Sequence, residues 1–339
     1  MKKYDCIGIG SPLLDLTFNV TDDILDELGL KKGEMCLIDK EKSKEILKKL
    51  NSLNKDVSPG GCCSNTVAGI SALGGKAVFL GKIGNDVHGE IYESKTKKQG
   101  VITRLSKHDS EITGHSITFI TPDFERTFAT HLGASLYLKK QDIIDEEIKN
   151  SKILHIEAYQ LEDPSLREIN LHAIEIAKKN NVLVSMDLAD PALVLRNLDF
   201  LKDFIKNSID IVFANETEAQ AFTGKEYKQA LLEISNICNI AVVKLGEKGS
   251  LIKYKDIIHE IPSFKVKTVN TNGAGDMYAA GVLYGVVNNL SFEETGKLAS
   301  FAASLVVSNS DTRLNQDQIN KIKLINSNRP ENNKWKTTK

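Results

Sequence analysis

Short apolar runs rich in β-branched residues alternate with longer stretches of helical periodicity along this chain. The short runs predict strands and the longer stretches predict helices. Strands separated by helices pair in parallel, because each connection must cross back over the sheet. The strand candidates are residues 4–9, 77–82, 153–156, 183–187, 209–214 and 240–244, with helices that include 64–73, 165–180 and 216–222. The sequence therefore predicts an α/β fold: a mostly parallel central sheet flanked by helices on both faces.

Two segments, at about residues 16–56 and 105–135, interrupt this alternation. In the second, residues 116–120 and 126–130 have the pattern of paired strands around the turn Pro122-Asp123. We interpret both segments as insertions that form a small β lid at one edge of the sheet, able to fold over a ligand. The alternative is a pair of surface hairpins without a role in binding.

No internal repeat and no linker divides the chain, so we expect a single α/β domain over residues 1–325. Helices are predicted at 276–287 and, after the capping box Ser291-Phe292-Glu293-Glu294, up to residue 307. Residues 326–339 are polar and are expected to form a frayed C-terminal tail.

The 44 basic and 45 acidic side chains of the 339 residues nearly cancel, which argues against a nucleic-acid partner. No apolar run approaches the ~20 residues of a membrane span, so no membrane partner is expected. The five cysteines include no Cys-x-x-Cys pair, which favours a reduced, cytoplasmic protein. We expect a small-molecule substrate, with monomer and homodimer both open.

The most specific motif is Asn270-Thr271-Asn272-Gly273-Ala274-Gly275-Asp276, which leads directly into an apolar helix. Its small residues leave backbone N–H groups unobstructed, and the helix dipole adds partial positive charge, so the loop suits phosphate. Asp276 is placed to take a proton from a hydroxyl lying against that phosphate. The open alternative is a tight turn with Asp276 as an N-cap.

A second glycine motif, Ser58-Pro59-Gly60-Gly61-Cys62-Cys63-Ser64-Asn65, precedes another predicted helix. Paired glycines allow a ligand to approach the backbone, and Asn65 offers both a donor and an acceptor to hydroxyl groups. The motif therefore suits a polyol. The alternative is that the glycines serve only as turns and that the cysteines only pack.

The pairing of Gly-Gly-x-x-x-Asn with a late Gly-Ala-Gly-Asp resembles the ribokinase-like (PfkB) family of sugar and nucleoside kinases, over residues 4–315. Residues 10–15 and 126–134 look most like the adenosine-kinase-like branch. The resemblance implies a ribokinase-like α/β fold with a β lid. It also implies transfer of the γ-phosphoryl group of ATP, with Mg²⁺, to a primary hydroxyl of a sugar or nucleoside.

Residue roles follow from this resemblance position by position. It makes Asp276 the general base and Gly273, Ala274 and Gly275 the anion hole. The sugar would be bound by Asp15, Gly60, Gly61 and Asn65, the nucleotide by Asn215, Lys244, Gly246, Gly249 and Arg126, and the metal by Glu218 through water. Arg126 would move onto the phosphates as the lid closes. The competing interpretations are an ordinary surface arginine for Arg126 and a helix-start glutamate for Glu218.

Three positions depart from the family pattern. Asn270 stands where Asp is frequent, which puts a monovalent-cation requirement in doubt. Ser11 replaces an Asn that is frequent in adenosine kinases, which would weaken one ribose contact. Cys62 and Cys63 replace Ala or Ser, so an exposed thiol there would be open to thiol reagents.

Adenosine, phosphorylated at its 5'-hydroxyl, is the acceptor we predict, with ribose, fructose or a related free sugar as the alternative. A purine needs a flat apolar slot, for which Tyr159, Leu14, Leu16 and Phe128 are candidates, although the same residues could pack a lid hinge. A dehydrogenase is disfavoured because the third glycine after Gly8-Ile9-Gly10 is missing, and no Walker motif occurs. A non-catalytic binding protein is disfavoured by the intact Asp276 motif.

Overall fold

Two sheets organise the chain in a computed structural model that describes residues 2–123 and 125–327. The strands are β1 (Tyr4–Ile9), β2 (Leu13–Asn19), β3 (Met35–Leu37), β4 (Lys55–Gly60), β5 (Ala77–Gly84), β6 (Ile102–His108), β7 (His115–Ile120), β8 (Arg126–His131), β9 (Ser151–Glu157), β10 (Leu183–Asp187), β11 (Ile211–Asn215), β12 (Ile240–Lys244), β13 (Ser250–Tyr254) and β14 (Ile257–Ile261). The helices are α1 (Asp22–Leu28), α2 (Lys40–Lys49), α3 (Cys62–Ala72), α4 (Val87–Lys98), α5 (Asp145–Lys149), α6 (Pro164–Lys179), α7 (Pro191–Arg196), α8 (Leu198–Ser208), α9 (Glu216–Thr223), α10 (Tyr227–Ile234), α11 (Ala274–Val287), α12 (Phe292–Val307) and α13 (Gln316–Ser327).

The large sheet has the order β14-β13-β12-β11-β10-β9-β1-β5-β6 and is parallel except at β13 and β14. Its two faces bury separate apolar clusters, one packed by α3, α11 and α12 and the other by α6, α8, α9 and α10. The predicted α/β fold, with helices on both faces, is confirmed. The direction of strand addition reverses between β1 and β9, which is where ligands bind in open sheets of this type.

The second sheet has the order β3-β8-β7-β2-β4. The predicted pair of strands is present as β7 and β8, antiparallel with Ile120 opposite Arg126. The strands of this sheet come from residues 13–60 and 115–131. The first of these ranges begins and ends a few residues outside the predicted insertion at 16–56. The strands occupy less of the second insertion, because residues 102–108 form an edge strand of the large sheet.

One face of the second sheet packs against the apolar core. Leu14, Leu16 and Phe18 of β2 are buried with Ile46 of α2 and Leu25 of α1 in the apolar core. Side chains alternate between the faces of a strand, so Asp15 and Thr17 lie on the opposite face. This opposite face, called here the open face, is the one that bears Asp15.

The C-terminal end of the described chain is α13, which includes residues 326 and 327 of the predicted tail; residues 328–339 lie outside the described residues. In the described part of the chain, no helix has the length and apolar character to cross a bilayer. All five cysteine thiols are free.

Candidate active site

Four neighbouring strands of the large sheet end in a polar residue: Glu157 in β9, Asp187 in β10, Asn215 in β11 and Lys244 in β12. The carboxyl ends of parallel strands meet at one edge, so these side chains line the crevice at the switch point. Glu157 accepts hydrogen bonds from the N–H of Cys63 (2.8 Å) and of Ser11 (3.4 Å). Burial raises its pKa to about 7. The edge therefore concentrates ionisable groups in a buried crevice.

Asp276 lies in the first turn of α11, whose N-cap is Gly273 with φ +77°. Its side chain makes no capping hydrogen bond; instead, its Oδ2 accepts a 2.9 Å bond from Nδ2 of Asn65 on α3. The alternative of a simple N-cap is therefore wrong. Burial raises the pKa of Asp276 to about 6, against the opposing effect of the Asn65 hydrogen bond. At neutral pH the carboxylate is therefore mostly ionised. Its pKa lies close to neutral pH, which suits a general base.

The predicted anion hole of Gly273, Ala274 and Gly275 lies at the same helix terminus, but the N–H of Ala274 donates to the carbonyl oxygen of Thr271 (3.3 Å). Of the first-turn amides of α11, those of Gly275 and Asp276 remain for an anion. The first N–H groups of a helix have no intrahelical partner, and the first intrahelical bond here runs from Met277 N to Gly273 O (2.9 Å). A Cβ on Gly275 would lie 3.3 Å from Nζ of Lys244, so the ammonium stands beside these amides. Burial opposes that charge, but the fields of Asp187 and Glu218 keep the pKa of Lys244 above its usual value. Amides and ammonium together make a site for an anion.

The double glycine brings Asp15 to this crevice. A Cβ on Gly60 would lie 2.4 Å from Oδ2 of Asp15, and one on Gly61, whose φ is +89°, would lie 2.3 Å from the carbonyl oxygen of Ser11. The room left by the glycines is therefore used by the protein's own groups. Burial raises the pKa of Asp15 to about 7, with Arg313 opposing and Asp276 adding to the rise. Asp15 and Asp276 thus face one crevice.

Cross-strand register identifies the neighbours of Asp15 on the open face. One row runs from Leu37 through Thr130, Ser116 and Asp15 to Ser58, and the next runs from Met35 through Phe128, Thr118 and Thr17 to Asp56. Phe128 and Arg126 alternate with buried Thr127, so both lie on this face. Leu14 and Leu16 lie on the covered face, so their predicted place in a purine slot is wrong. The alternation of apolar and polar residues in Leu14-Asp15-Leu16-Thr17-Phe18 already indicates that the two leucines and Asp15 lie on opposite faces of the strand.

Comparison with known proteins agrees with this geometry. The sequence pattern of the family described as pfkB family carbohydrate kinase matches residues 33–319. The chain belongs to this family. The 5-dehydro-2-deoxygluconokinase of Bacillus subtilis (strain 168) is 30% identical over 261 residues, covering 74% of this chain and 80% of that protein. The predicted phosphotransferase activity on a sugar hydroxyl, the family's reaction, is thereby confirmed.

Solved structures that are similar to this chain include an adenosine kinase and a probable sugar kinase. The adenosine kinase from Sinorhizobium meliloti has a TM-score of 0.89 at 31% identity and covers 95% of this chain and 99% of its own. A probable sugar kinase from Rhizobium etli CFN 42 has the same TM-score at 30% identity and covers 96% and 99%. These two structures are thus about equally similar to this pfkB member.

Asn215 and Glu218 form a capping box at the start of α9. Both carboxylate oxygens of Glu218 accept from Asn215, Oε2 from the backbone N–H (2.7 Å) and Oε1 from Nδ2 (2.6 Å). Burial raises the pKa of Glu218 to about 7, although Lys244 lowers it. With its oxygens occupied, Glu218 suits a magnesium ion held through water better than one bound directly.

Magnesium fits this site as an ion held mainly by phosphate and water. In the part of the chain that the structure describes, no cluster of three or more His, Cys, Asp or Glu residues could hold a metal. Mg²⁺ commonly keeps several waters and uses one or two carboxylates together with substrate phosphates. Asp187, whose Oδ2 lies 2.6 Å from Nζ of Lys244, and Glu218, whose charge acts on the same lysine, could serve in that way.

The remaining predicted residues lie around the same edge. Gly246, with φ +59°, has open space beside it, whereas a Cβ on Gly249 would lie 2.0 Å from the carbonyl oxygen of Ile261. Tyr159 follows β9 and is half-buried near Cys62 and Glu218, and burial raises the pKa of its phenol. It therefore lies on the large-sheet side of the crevice, and its stacking role stays a prediction.

The three departures from the family pattern have structural counterparts. Asn270 is buried, donates from Nδ2 to the carbonyl oxygen of Ser310 (2.6 Å) and accepts from the N–H of Asn272 (2.8 Å). The Ser11 hydroxyl accepts from Nε2 of Gln160 (2.8 Å). Burial raises the pKa of the Cys62 and Cys63 thiols well above the usual value, which lowers their reactivity.

Sequence reasoning missed three residues of this site: Glu157, Asp187 and Arg313. The first two end buried strands, and a polar residue at the carboxyl end of a parallel strand is a usable signal. Arg313 follows α12 in a polar stretch without a motif. Its guanidinium is buried and hydrogen-bonds to Asn65, 248 positions away in sequence.

Proposed function

We propose that this pfkB kinase transfers the γ-phosphoryl group of ATP to the 5'-hydroxyl of adenosine, yielding AMP and ADP. Asp276 takes the hydroxyl proton as the new O–P bond forms and the bond to the ADP oxygen breaks. The N–H groups of Gly275 and Asp276, with the ammonium of Lys244, stabilise the negative charge on the transferred group. Magnesium bound to the ATP phosphates would supply further charge neutralisation.

One observation supports a nucleoside in particular: apolar side chains lie on the open face across the sheet from Asp15, Phe128 two strands away and Met35 and Leu37 three strands away, which is about 10 and 14 Å. Leu37 is 59% and Met35 40% exposed, and Phe128 is half-buried in the row next to Asp15. A free sugar has no apolar part that would cover such side chains, whereas a purine base has two flat faces. With the ribose near Asp15, the base would extend across the open face toward this apolar patch of Met35, Leu37 and Phe128.

The second candidate is a free sugar or sugar acid. Its support is the 30% identity to the Bacillus kinase, together with Arg126 on the open face, whose guanidinium could bind an acceptor carboxylate. The charge of Arg126 is close enough to lower the pKa of Asp15.

A coupled assay of ADP release over adenosine, other nucleosides, ribose, fructose and 5-dehydro-2-deoxygluconate tests the acceptor. We expect the highest kcat/KM with adenosine, because only a nucleoside covers the apolar patch and reaches Asp276 together. Turnover of a free sugar or the sugar acid without turnover of adenosine would refute this assignment. It would leave the phosphotransferase mechanism intact.

Leu37→Ser tests the apolar patch. We expect an approximately tenfold rise in KM for adenosine with kcat nearly unchanged. The variant loses the apolar contact that the bound base would bury against Leu37, and the loss of such a contact costs roughly 1–2 kcal/mol. Leu183→Ser is the matched control, because Leu183 is a strand leucine, 38% exposed, at the amino end of β10, the opposite end of that strand from Asp187. Equal KM values for the two variants would contradict base binding at Leu37.

A further inference from the structure

Arg313 is a buried arginine whose hydrogen-bond partners are all neutral. Its side chain donates from Nε to Oδ1 of Asn65 (2.8 Å), from Nη1 to Oε1 of Gln99 (2.7 Å), and from Nη2 to Oγ of Ser64 (2.8 Å) and the carbonyl oxygen of Gly60 (3.3 Å). Burial lowers the pKa of Arg313. A buried cation needs compensation, and the nearby charges of Asp15 and Asp276 provide it.

The bond from Arg313 determines which way the Asn65 amide faces. A guanidinium can only donate, so the Asn65 atom facing Nε must be the carbonyl oxygen Oδ1. The amide nitrogen Nδ2 then faces Asp276, and it donates to Oδ2 at 2.9 Å. Arg313 thus selects one of two amide orientations.

That orientation bears directly on the protonation of Asp276. An N–H donor facing the carboxylate favours the ionised form, and it leaves Oδ1 of Asp276 available for the acceptor hydroxyl. With the amide rotated by 180°, Asn65 would present its oxygen instead. Asp276 would then have to be protonated to donate to it, and a protonated Asp276 cannot act as a base.

The segment that follows α12 also contacts the loop of residues 270–276, called here the anion loop. A Cβ on Gly273 would lie 2.1 Å from the carbonyl oxygen of Thr312, and Ser310 accepts from Nδ2 of Asn270. The three residues Ser310, Thr312 and Arg313 therefore connect both the anion loop and Asn65. A displacement of Arg313 would therefore alter the positions of both Asp276 and the anion loop.

We infer that Arg313 is a positioning residue that acts through the amide of Asn65 to keep Asp276 ionised and correctly oriented. This inference rests on the proposed role of Asp276 as the general base. It makes Arg313 part of the proton-transfer apparatus although the residue touches neither substrate nor reacting atom.

The test is the acid limb of the kcat/KM profile, measured by ADP release with the best acceptor of the panel. Arg313→Lys keeps the charge but loses the Nε–H, so the midpoint of the acid limb should rise by about 0.7 pH unit, the effect of one net hydrogen bond. Asn65→Ala should raise it similarly. In the double variant, Arg313→Lys should add nothing to Asn65→Ala, because its effect requires the amide.

Gln99→Leu is the matched control, since it removes another Arg313 partner without touching Asn65. We expect a lower Tm with the acid limb unmoved. An acid limb that stays in place in Asn65→Ala would overturn the inference even if Arg313→Lys failed to fold. So would an Arg313→Lys shift that persists in the Asn65→Ala background. Failure of the base assignment itself would show separately, as near-normal kcat in Asp276→Asn.

Discussion

Asp276→Asn is expected to lower kcat at least ~100-fold while the Kd for ATP changes little, because the variant keeps the shape of the site and loses the proton acceptor. The Asn65 amide can still donate to the new side-chain oxygen, so the geometry of Asn65 and Arg313 is retained. Initial rates of ADP release and calorimetric titration with ATP measure the two quantities. Near-normal kcat would remove Asp276 from the role of base.

The pH profile gives the same assignment an independent check. The pKa of Asp276 is raised from its usual value to about 6, so kcat/KM should fall as the pH drops through about 6 and the base becomes protonated. Asp15 and Glu157, with pKa values of about 7, also titrate near this range. The part of the acid limb due to Asp276 is the part that disappears in Asp276→Asn.

Stability should move in the opposite direction to activity. A carboxyl group whose pKa is higher in the folded than in the unfolded state binds its proton more tightly when folded, so folding weakens as the pH rises from about 4 to about 6. Above that range the ionised Asp276 costs up to about 3 kcal/mol, which Asp276→Asn removes. We therefore expect an equal or higher Tm for the variant at pH 7. A clear loss of Tm would attribute the lost activity to misfolding.

Asp256→Asn is the matched control for both measurements. Asp256 is exposed in the turn between β13 and β14, away from the carboxyl edge of the sheet. The same change of charge there should alter neither kcat nor Tm.

Local patterns predicted the parts of the fold that depend on local sequence. The limits of β1, β10 and β12 coincide with the predicted ranges, because each is a short and mostly buried run that is visible in the local pattern. The end of β5 was predicted two residues early. Ile83 and Gly84 join the strand because they pair with Lys107 and His108 of β6, and the sequence of β5 alone cannot show that partner.

The candidate site likewise has one part that the local sequence predicts and another that only tertiary packing determines. Asp276 and its small-residue loop were evident because one continuous segment supplies the carboxylate and the amides. The contacts that prepare Asp276 come from elsewhere: Asn65 is 211 positions away, and Arg313 is 248 positions from Asn65. The packing of α3 against α11 brings Asn65 to Asp276, and the segment after α12 adds Arg313. Their mutual orientation is a tertiary property, which residue spacing cannot predict.

Gly273→Ala is expected to lower kcat about 100- to 1000-fold, the range for losing an anion-stabilising donor. The φ of Gly273 is +77°, and a Cβ there would lie 2.1 Å from the carbonyl oxygen of Thr312. Either the start of α11 or the segment around Thr312 must therefore move, and Asp276 and the amides would move with α11. Initial rates and Tm, measured side by side, check the effect.

Gly224→Ala separates backbone strain from this displacement. Gly224 ends α9 with φ +70°, and nothing lies within 4 Å of the position of its Cβ. An alanine there carries the same left-handed strain, about 1 kcal/mol, without a collision, so Tm should fall slightly while kcat stays unchanged. Gly273→Ala should share that loss of Tm and add the loss of kcat. If both variants keep kcat, the amides at the start of α11 do not hold the transferred phosphoryl group, because a shift of that helix would have been harmless.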